Sequence, residues 1–176
     1  GDIYLAAKSD YTGRVTVPVL WDKREHTIVN NESADIIRMM NDAFDDVAGP
    51  QYDMYPKSLR DEIDTINEPI YEHVNNGVYK CGFASSQEAY AEAFTALFET
   101  LNGIEARLSG QRYLAGSQIT EADWRLFTTL IRFDPVYYGL FKCNQRCIAD
   151  YPALSNYTRE LYQVPGLAGT VDFDHI

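Results

Sequence analysis

Three groups of residues in this chain could do chemistry: thiols, a carboxylate beside a hydroxyl, and clustered phenols. The thiols are Cys81, Cys143 and Cys147. A thiol reacts as its thiolate and needs a depressed pKa, typically from a helix N-terminus or a nearby cation. Cys81 lies in a stretch that reads as an irregular connection, and Cys143 and Cys147, four apart, would share one helical face. None sits at a clear helix start, so none is assigned as a nucleophile. The odd count offers no disulfide framework and fits a reducing cytoplasm. The histidines His26, His73 and His175 are scattered without a ligand pattern, so no metal is expected.

The carboxylate and hydroxyl are Glu32 and Ser33. They follow the β-forming run Thr27-Ile-Val29 and precede Ala34, Ile36, Ile37 and Met40, which carry the apolar side of a helix. Asn31 is the expected cap. The free N–H groups of that helix start, with the Ser33 hydroxyl, suit a carboxylate, and Glu32 suits an ammonium, so the pair fits a zwitterion. Just upstream, Val15, Thr16, Val17, Val19 and Leu20 favour a strand. Pro18 interrupts them and cannot donate to a ladder, so it belongs at a strand start or edge. A cis Val17–Pro18 bond is expected there. It would turn the main chain of Val17 outward to pair with an extended ligand. The competing reading is an ordinary strand pair running into a helix.

The phenols and phenyls lie in Arg132-Phe-Asp-Pro-Val-Tyr-Tyr-Gly-Leu-Phe-Lys-Cys-Asn144. Pro135 and Gly139 break helical regularity there. Phe133, Tyr137, Tyr138 and Phe141 form either core or dimer packing, or the wall of a site for a flat ring. Arg132 and Asp134 are expected to pair with each other or with residues 41–57.

The elements that position these groups follow from the pattern. Ile3, Tyr4 and Leu5 read as the end of a helix or strand before the polar loop Lys8–Gly13. Residues 41–57 are rich in Asp, Gly and Pro, lack a clear period and read as a linker. From Ser58 the period becomes helical, with Leu59, Ile63, Ile66, Ile70 and Val74 on one side, and Ser58 and Asp61 form a variant capping box. Pro69 should loosen that helix, and Asn75-Asn76-Gly77 should stop it. Val78–Ala84 then reads as irregular. Ser85 and Glu88 cap a long helix of about six turns that runs to Gly110. Thr120 caps another, with Asp123 reaching back and Ile119 and Trp124 as a hydrophobic staple, so Asp123 is structural. Pro152 suits the start of the last clear helix, and Val164-Pro-Gly166 its end. No regular strand is expected between residues 85 and 131.

Hydrophobic residues make up 45% of the 176, enough for a real core. The net charge of −11 opposes tracking of nucleic-acid phosphates and binding to an anionic membrane surface. No apolar run approaches the ~20 residues of a membrane-spanning helix.

The wording of several blocks is specific. GRVTVPVLWD, NNESADIIRM, NNGVYKCGFA, TEADWRLF and RFDPVYYGLFKCN resemble the glutathionyl-hydroquinone reductases, the Xi class of glutathione transferases, over nearly the whole chain. The resemblance implies the α+β remnant of a thioredoxin-like, glutathione-binding domain in residues 1–40, a linker in 41–57, and an all-α glutathione transferase C-terminal domain in 58–176. It implies that glutathione is co-substrate, that glutathionyl-hydroquinones are reduced, and that the protein is a homodimer. Val17 and Pro18 would hold the cysteinyl part of glutathione, and Glu32 and Ser33 its γ-glutamyl end. Tyr79 occupies the block where the family places a tyrosine facing the hydroquinone, and Tyr137 is the candidate partner for the same ring. The family's reactive cysteine lies in a Cys-Pro-Trp-Ala type motif that is absent here, and a second family tyrosine would fall just beyond residue 176. A longer parent chain is therefore expected, with the nucleophile upstream. The other reading is a non-catalytic interaction or assembly domain of the same superfamily. A Cys-Pro-Trp motif upstream would favour the enzyme.

Overall fold

The structure, a computed structural model, describes residues 1–49 and 52–176. They form two compact units, Gly1–Met54 and Tyr55–Ile176.

The first unit opens with helix α1 (Asp2–Ala7). An irregular stretch then leads to an antiparallel pair, β1 (Leu20–Asp22) and β2 (Thr27–Asn30). Trp21 faces Ile28 and Asp22 faces Thr27, with a bulge between Leu20 and Trp21. Asp22 makes the turn: its Oδ1 accepts the N–H groups of Arg24 and Glu25, and His26 takes a left-handed φ of 51°. Those two N–H groups hold the Asp22 carboxyl below its ordinary range. The strand expected over Val15–Leu20 starts only at Leu20. Before it, the Val17–Pro18 peptide bond is cis, as expected.

Helix α2 (Ser33–Asp42) follows β2, and the one-turn α3 (Asp45–Ala48) lies within the stretch read as linker. Tyr4 is the centre of the unit. Its hydroxyl donates to Thr16 O at 3.0 Å and accepts from the N–H of Thr16 at 3.3 Å and from Asn31 Nδ2 at 3.1 Å. Asn31 is thereby drawn away from the helix it was expected to cap, and Glu32 is the N-cap instead.

The second unit is helical. Helix α4 (Arg60–Pro69) continues into a π-helical turn at Ile70–Asn75. Pro69 has no N–H to donate, which explains the looser winding that begins there. Ser58 does not cap α4: Leu59 holds that position without a side-chain bond. Asn76 interrupts the winding, but Val78–Gly82, read as irregular, lies within helix α5 (Gly77–Gly82).

Helix α6 (Gln87–Gly110) is 24 residues long. Ser86 rather than Ser85 caps it, accepting the N–H of Ala89 at 3.1 Å. Helix α7 (Glu121–Arg132) has the expected box at Thr120 and Asp123, and α8 (Pro152–Tyr162) has Pro152 in its first turn. Among the described residues, residues 85–131 hold no strand, only an isolated bridge between Tyr113 and Gly116.

The core of this unit joins Ile63, Ile70 and Val74 to Leu97, Phe98 and Leu101 of α6, Leu126 and Leu130 of α7, and Leu154 and Leu161 of α8. An α+β piece followed by an all-helical domain is the fold class expected from the sequence.

Candidate functional site

Each unit presents its own cluster of candidate residues. In the first, the chain leaves β2 at Asn30, whose Oδ1 accepts the N–H of Glu32 at 2.7 Å and whose Nδ2 donates to Asp35 at 3.2 Å. This clamp sets the entry angle of α2 and leaves Glu32 and Ser33 exposed at its start. Glu32 Oε1 accepts the N–H of Ala34 at 3.4 Å, a long and weak cap. The other carboxylate oxygen has no partner among the described residues, nor do the first-turn N–H groups of Ser33 and Asp35. The helix start therefore keeps donors and an acceptor open side by side. Val17 is 89% exposed, and its main chain makes no hydrogen bond among the described residues.

In the second unit, α5 carries Tyr79 about one turn before Phe83, and Tyr137 ends a π-helical turn at Phe133–Tyr137 that contains Pro135. The Tyr79 and Tyr137 hydroxyls meet at 3.3 Å, with their rings edge to face at 5.8 Å. Phe141 stands 5.5 Å from Tyr79 and 5.4 Å from Tyr137, and Phe83 stands 5.3 Å from Phe141. Phe141 lies directly on the main chain of Gly82: a Cβ there would come within 2.5 Å of its ring, so only glycine admits this packing.

Tyr79 is 47% exposed and Phe83 74%, whereas Tyr137 is 5% exposed. Tyr137 thus belongs to the core by its ring and to the surface cluster by its hydroxyl. Burial, and then the hydrogen bond to Tyr79, push its phenol well above the ordinary range, so it is neutral at pH 7. Phe83 escaped the sequence reading. The signal for it was its spacing of four from Tyr79, visible only once the segment is known to be helical.

The other candidates are structural. Phe133 is buried in the core. Asp134 accepts the N–H groups of Ile148 at 2.6 Å and Ala149 at 3.0 Å, and Arg132 donates to Thr128 O at 2.8 Å, so the expected Arg132–Asp134 pair is replaced by main-chain partners. Asp123 accepts from Thr120 N, Thr120 Oγ1, Leu114 N and the Tyr157 hydroxyl, which saturates it.

Cys143 and Cys147 lie outside regular helix, so they share no helical face. Cys143 is buried instead, and its sulfur lies 3.8 Å from Phe141 O. All three thiols are free, and no group of three or more potential metal ligands occurs among the described residues.

These features define a class. Residues 87–160 match the family described as the glutathione S-transferase C-terminal domain. Over nearly its whole length the chain is similar to proteins named glutathionyl-hydroquinone reductases and to a Xi glutathione transferase of known structure. It is 58% identical over 174 residues to glutathionyl-hydroquinone reductase YqjG of Escherichia coli, covering 99% of this chain and 53% of the relative. It is 54% identical to glutathionyl-hydroquinone reductase PcpF of Sphingobium chlorophenolicum, covering 98% of this chain and 55% of the relative.

The glutathione-bound structure of YqjG superposes with a TM-score of 0.97 over 99% of this chain and 57% of that one. Glutathione transferase Xi 1 of Trametes versicolor, 54% identical, superposes with a TM-score of 0.95 over 99% of this chain and 62% of that one. The chain spans about half the length of the curated relatives it matches.

Proposed function

We propose that this chain supplies the glutathione- and substrate-binding parts of a glutathione-dependent enzyme that reduces glutathionyl-hydroquinones to hydroquinones. The observation that carries the reading is the Tyr79–Tyr137 hydroxyl contact at 3.3 Å within a partly exposed ring cluster. Two phenols in contact share one hydrogen bond, which leaves a second O–H to donate to an oxygen of a flat phenolic substrate. The exposed faces of Tyr79 and Phe83 offer stacking area for its ring. The likeness to two relatives named glutathionyl-hydroquinone reductases supports the same substrate class.

For glutathione, the open N–H groups of Ser33 and Asp35 and the Ser33 hydroxyl hold the α-carboxylate of the γ-glutamyl end. The free oxygen of Glu32 takes its ammonium. Val17 pairs through its main chain with the cysteinyl part, beside Pro18. Residues 1–40 thus serve glutathione, 41–57 connect, and 58–176 serve the aromatic group.

In the reaction a cysteine thiolate attacks the sulfur of the glutathionyl-hydroquinone. The aryl carbon leaves with the bonding pair and is protonated to the hydroquinone. A second glutathione then resolves the enzyme–glutathione disulfide, giving glutathione disulfide and the free thiol. We assign the attacking thiol to a residue outside these 176. Cys143 and Cys147 are both held above the ordinary thiol range, the first by Cys81 and burial and the second by burial and Asp134. Cys81 sits in the last turn of a helix rather than at its start.

We place the protein in the cytoplasm, where free thiols persist, and as a homodimer, as the resemblance implies. Among the described residues no helix is long and apolar enough to cross a membrane.

The test is turnover of a glutathionyl-hydroquinone by the 176-residue chain alone and by a protein that carries it together with a cysteine-bearing thioredoxin-like half. The longer protein is expected to release hydroquinone and the chain alone to release none. Turnover by the chain alone would make Cys81, Cys143 or Cys147 the nucleophile and overturn the assignment.

A further inference from the structure

Gly82 is the last residue of α5, and glycine in a helix is less favourable than alanine. Its φ is not left-handed, so the path of the chain does not demand glycine there. The Phe141 ring does. A Cβ at position 82 would lie 2.5 Å from Phe141 Cγ, 2.7 Å from Cδ2 and 2.9 Å from Cδ1. At no other glycine would a Cβ come closer than 3.0 Å to a neighbour among the described residues.

The contact is with the root of the ring. Cγ stays in place when the ring turns about χ2, so only a change of χ1 or a shift of the main chain would relieve the overlap. The main chain around Phe141 is held from two sides. The Cys143 N–H donates to Tyr137 O at 3.0 Å, and the Tyr90 hydroxyl of α6 donates to Lys142 O at 2.6 Å. A side chain at position 82 would therefore swing the Phe141 ring off its seat. Gly82 is exposed and Phe141 half-buried, so the ring has solvent to swing into.

On its seat the ring touches both phenols. The rings of Phe141, Tyr137 and Tyr79 form a closed triangle with sides of 5.4, 5.8 and 5.5 Å. Tyr79 lies three residues before Gly82, on the same face of α5. The gap left by the missing Cβ is thus the place where Phe141 reaches that face. The hydroxyl contact of Tyr79 with Tyr137, at 3.3 Å, is long for an O–H···O bond and does not by itself fix a ring that is half exposed.

We propose that Gly82 and Phe141 are positioning residues for the aromatic substrate: the Cβ-free main chain of Gly82 seats the Phe141 ring, and that ring holds the Tyr79 and Tyr137 hydroxyls in register. This role rests on the reading of Tyr79 as the residue that meets the hydroquinone. It adds that the direction of the Tyr79 O–H is set from position 82 through the Phe141 ring.

The experiment has two arms. In the 176-residue chain, tyrosines isotope-labelled at Cζ are followed by NMR in the parent, Gly82→Ala and Phe141→Ala, with signals assigned through Tyr79→Phe and Tyr137→Phe. Both substitutions are expected to move the Tyr79 and Tyr137 signals. The signals of Tyr151 and Tyr157, which are bonded to Asn102 and Asp123, are expected to stay in place. In a protein that carries this chain together with a cysteine-bearing thioredoxin-like half, each substitution is expected to lower kcat/KM for a glutathionyl-hydroquinone by about tenfold, the scale of one misplaced hydrogen bond. Glutathione affinity should stay within about twofold. The double variant should lose no more than Phe141→Ala alone, because the added Cβ then has no ring to displace.

Unmoved Tyr79 and Tyr137 signals, or losses that multiply in the double variant, would overturn the proposal. So would an equal movement of the Tyr151 and Tyr157 signals, the mark of general loosening. If Gly82→Ala does not fold, Phe141→Ala carries both readouts by itself. Tyr79→Phe in the same turnover assay keeps the two readings apart. Parent-like kcat/KM there would sink the hydroquinone reading and the proposal with it. A loss there beside parent-like kcat/KM in Gly82→Ala and Phe141→Ala would overturn the role of Gly82 and Phe141 alone.

Discussion

Two helix starts with an acid close to a hydroxyl differ sharply: α7 with Thr120 and Asp123, and α2 with Glu32 and Ser33. At α7 both residues are buried, and Asp123 accepts from four donors, among them the Tyr157 hydroxyl at 2.8 Å and the N–H of Leu114 at 2.9 Å. At α2 both are exposed, the cap is a single 3.4 Å bond, and first-turn donors stay open.

Burial and saturation turn the first acid into a structural tie between α7, the Tyr113–Gly116 turn and α8. Exposure and open valence leave the second without such a tie. The same residue types therefore stand in opposite settings, and the difference lies in what surrounds them. The helical unit encloses α7 in a continuous core, whereas Tyr4 is the only buried hydrophobic among the described residues of the first unit.

This comparison can be broken most easily at Asp123. Asp123→Ala would leave buried donors on Thr120, Leu114 and Tyr157 unpaired, and it is expected to cost about 3 kcal/mol in urea unfolding. A change near zero would mean that the box at α7 is as loose as the start of α2.

Thr120→Ala removes one arm of the same box and should cost about 0.5–2 kcal/mol. Glu32→Ala at the other helix start should leave the unfolding midpoint unchanged. Equal losses at the two caps would contradict the distinction between a closed and an open start.

A smaller effect sharpens the picture around α7. Glu160 accepts the Tyr113 hydroxyl at 2.6 Å and pairs with Arg112 at 2.6 Å. Burial pushes its carboxyl up, but the hydrogen bonds from Tyr113 and Arg112 outweigh this and hold it below the ordinary range. A carboxyl with a folded pKa below its unfolded value stabilises above the unfolded pKa, and that stabilisation is lost as pH falls through the folded value. Wild type should therefore lose part of its advantage over Glu160→Gln between pH 6 and the acid side of about 4. A constant difference across that range, followed by denaturation at each pH, would remove Glu160 from the account.

The closed start was legible in the sequence and the open one only in part. Thr120 and Asp123 carry the spacing of a capping box with apolar neighbours on both sides, and local chemistry alone satisfies it. At α2, Asn30, Asn31 and Glu32 are three successive candidate caps. The choice among them is made by Tyr4, which engages Asn31 from 27 positions away. Local spacing holds no such information. Likewise Ser85 with Glu88 matches the capping pattern, but the neighbouring Ser86 has the extended φ of −141° that a cap requires.

The helix over Gly77–Gly82 was hidden by its bounding glycines, and with it the approach of Phe83 to Phe141. Tyr79 and Tyr137 could each be named from their blocks, yet their hydroxyl contact is a long-range fact of packing.

The most direct test separates the two candidate clusters in one protein able to turn over. Glutathione affinity by calorimetry and steady-state turnover of a glutathionyl-hydroquinone are measured for the parent, Glu32→Ala and Tyr79→Phe. Glu32→Ala is expected to weaken glutathione binding by about tenfold or more, the scale of one charge-assisted hydrogen bond. Tyr79→Phe is expected to lower kcat/KM for the aromatic substrate and to leave glutathione affinity within about twofold. Parent-like glutathione binding in Glu32→Ala, or a loss of glutathione affinity in Tyr79→Phe as large as the loss in turnover, would contradict the division of labour between the two units.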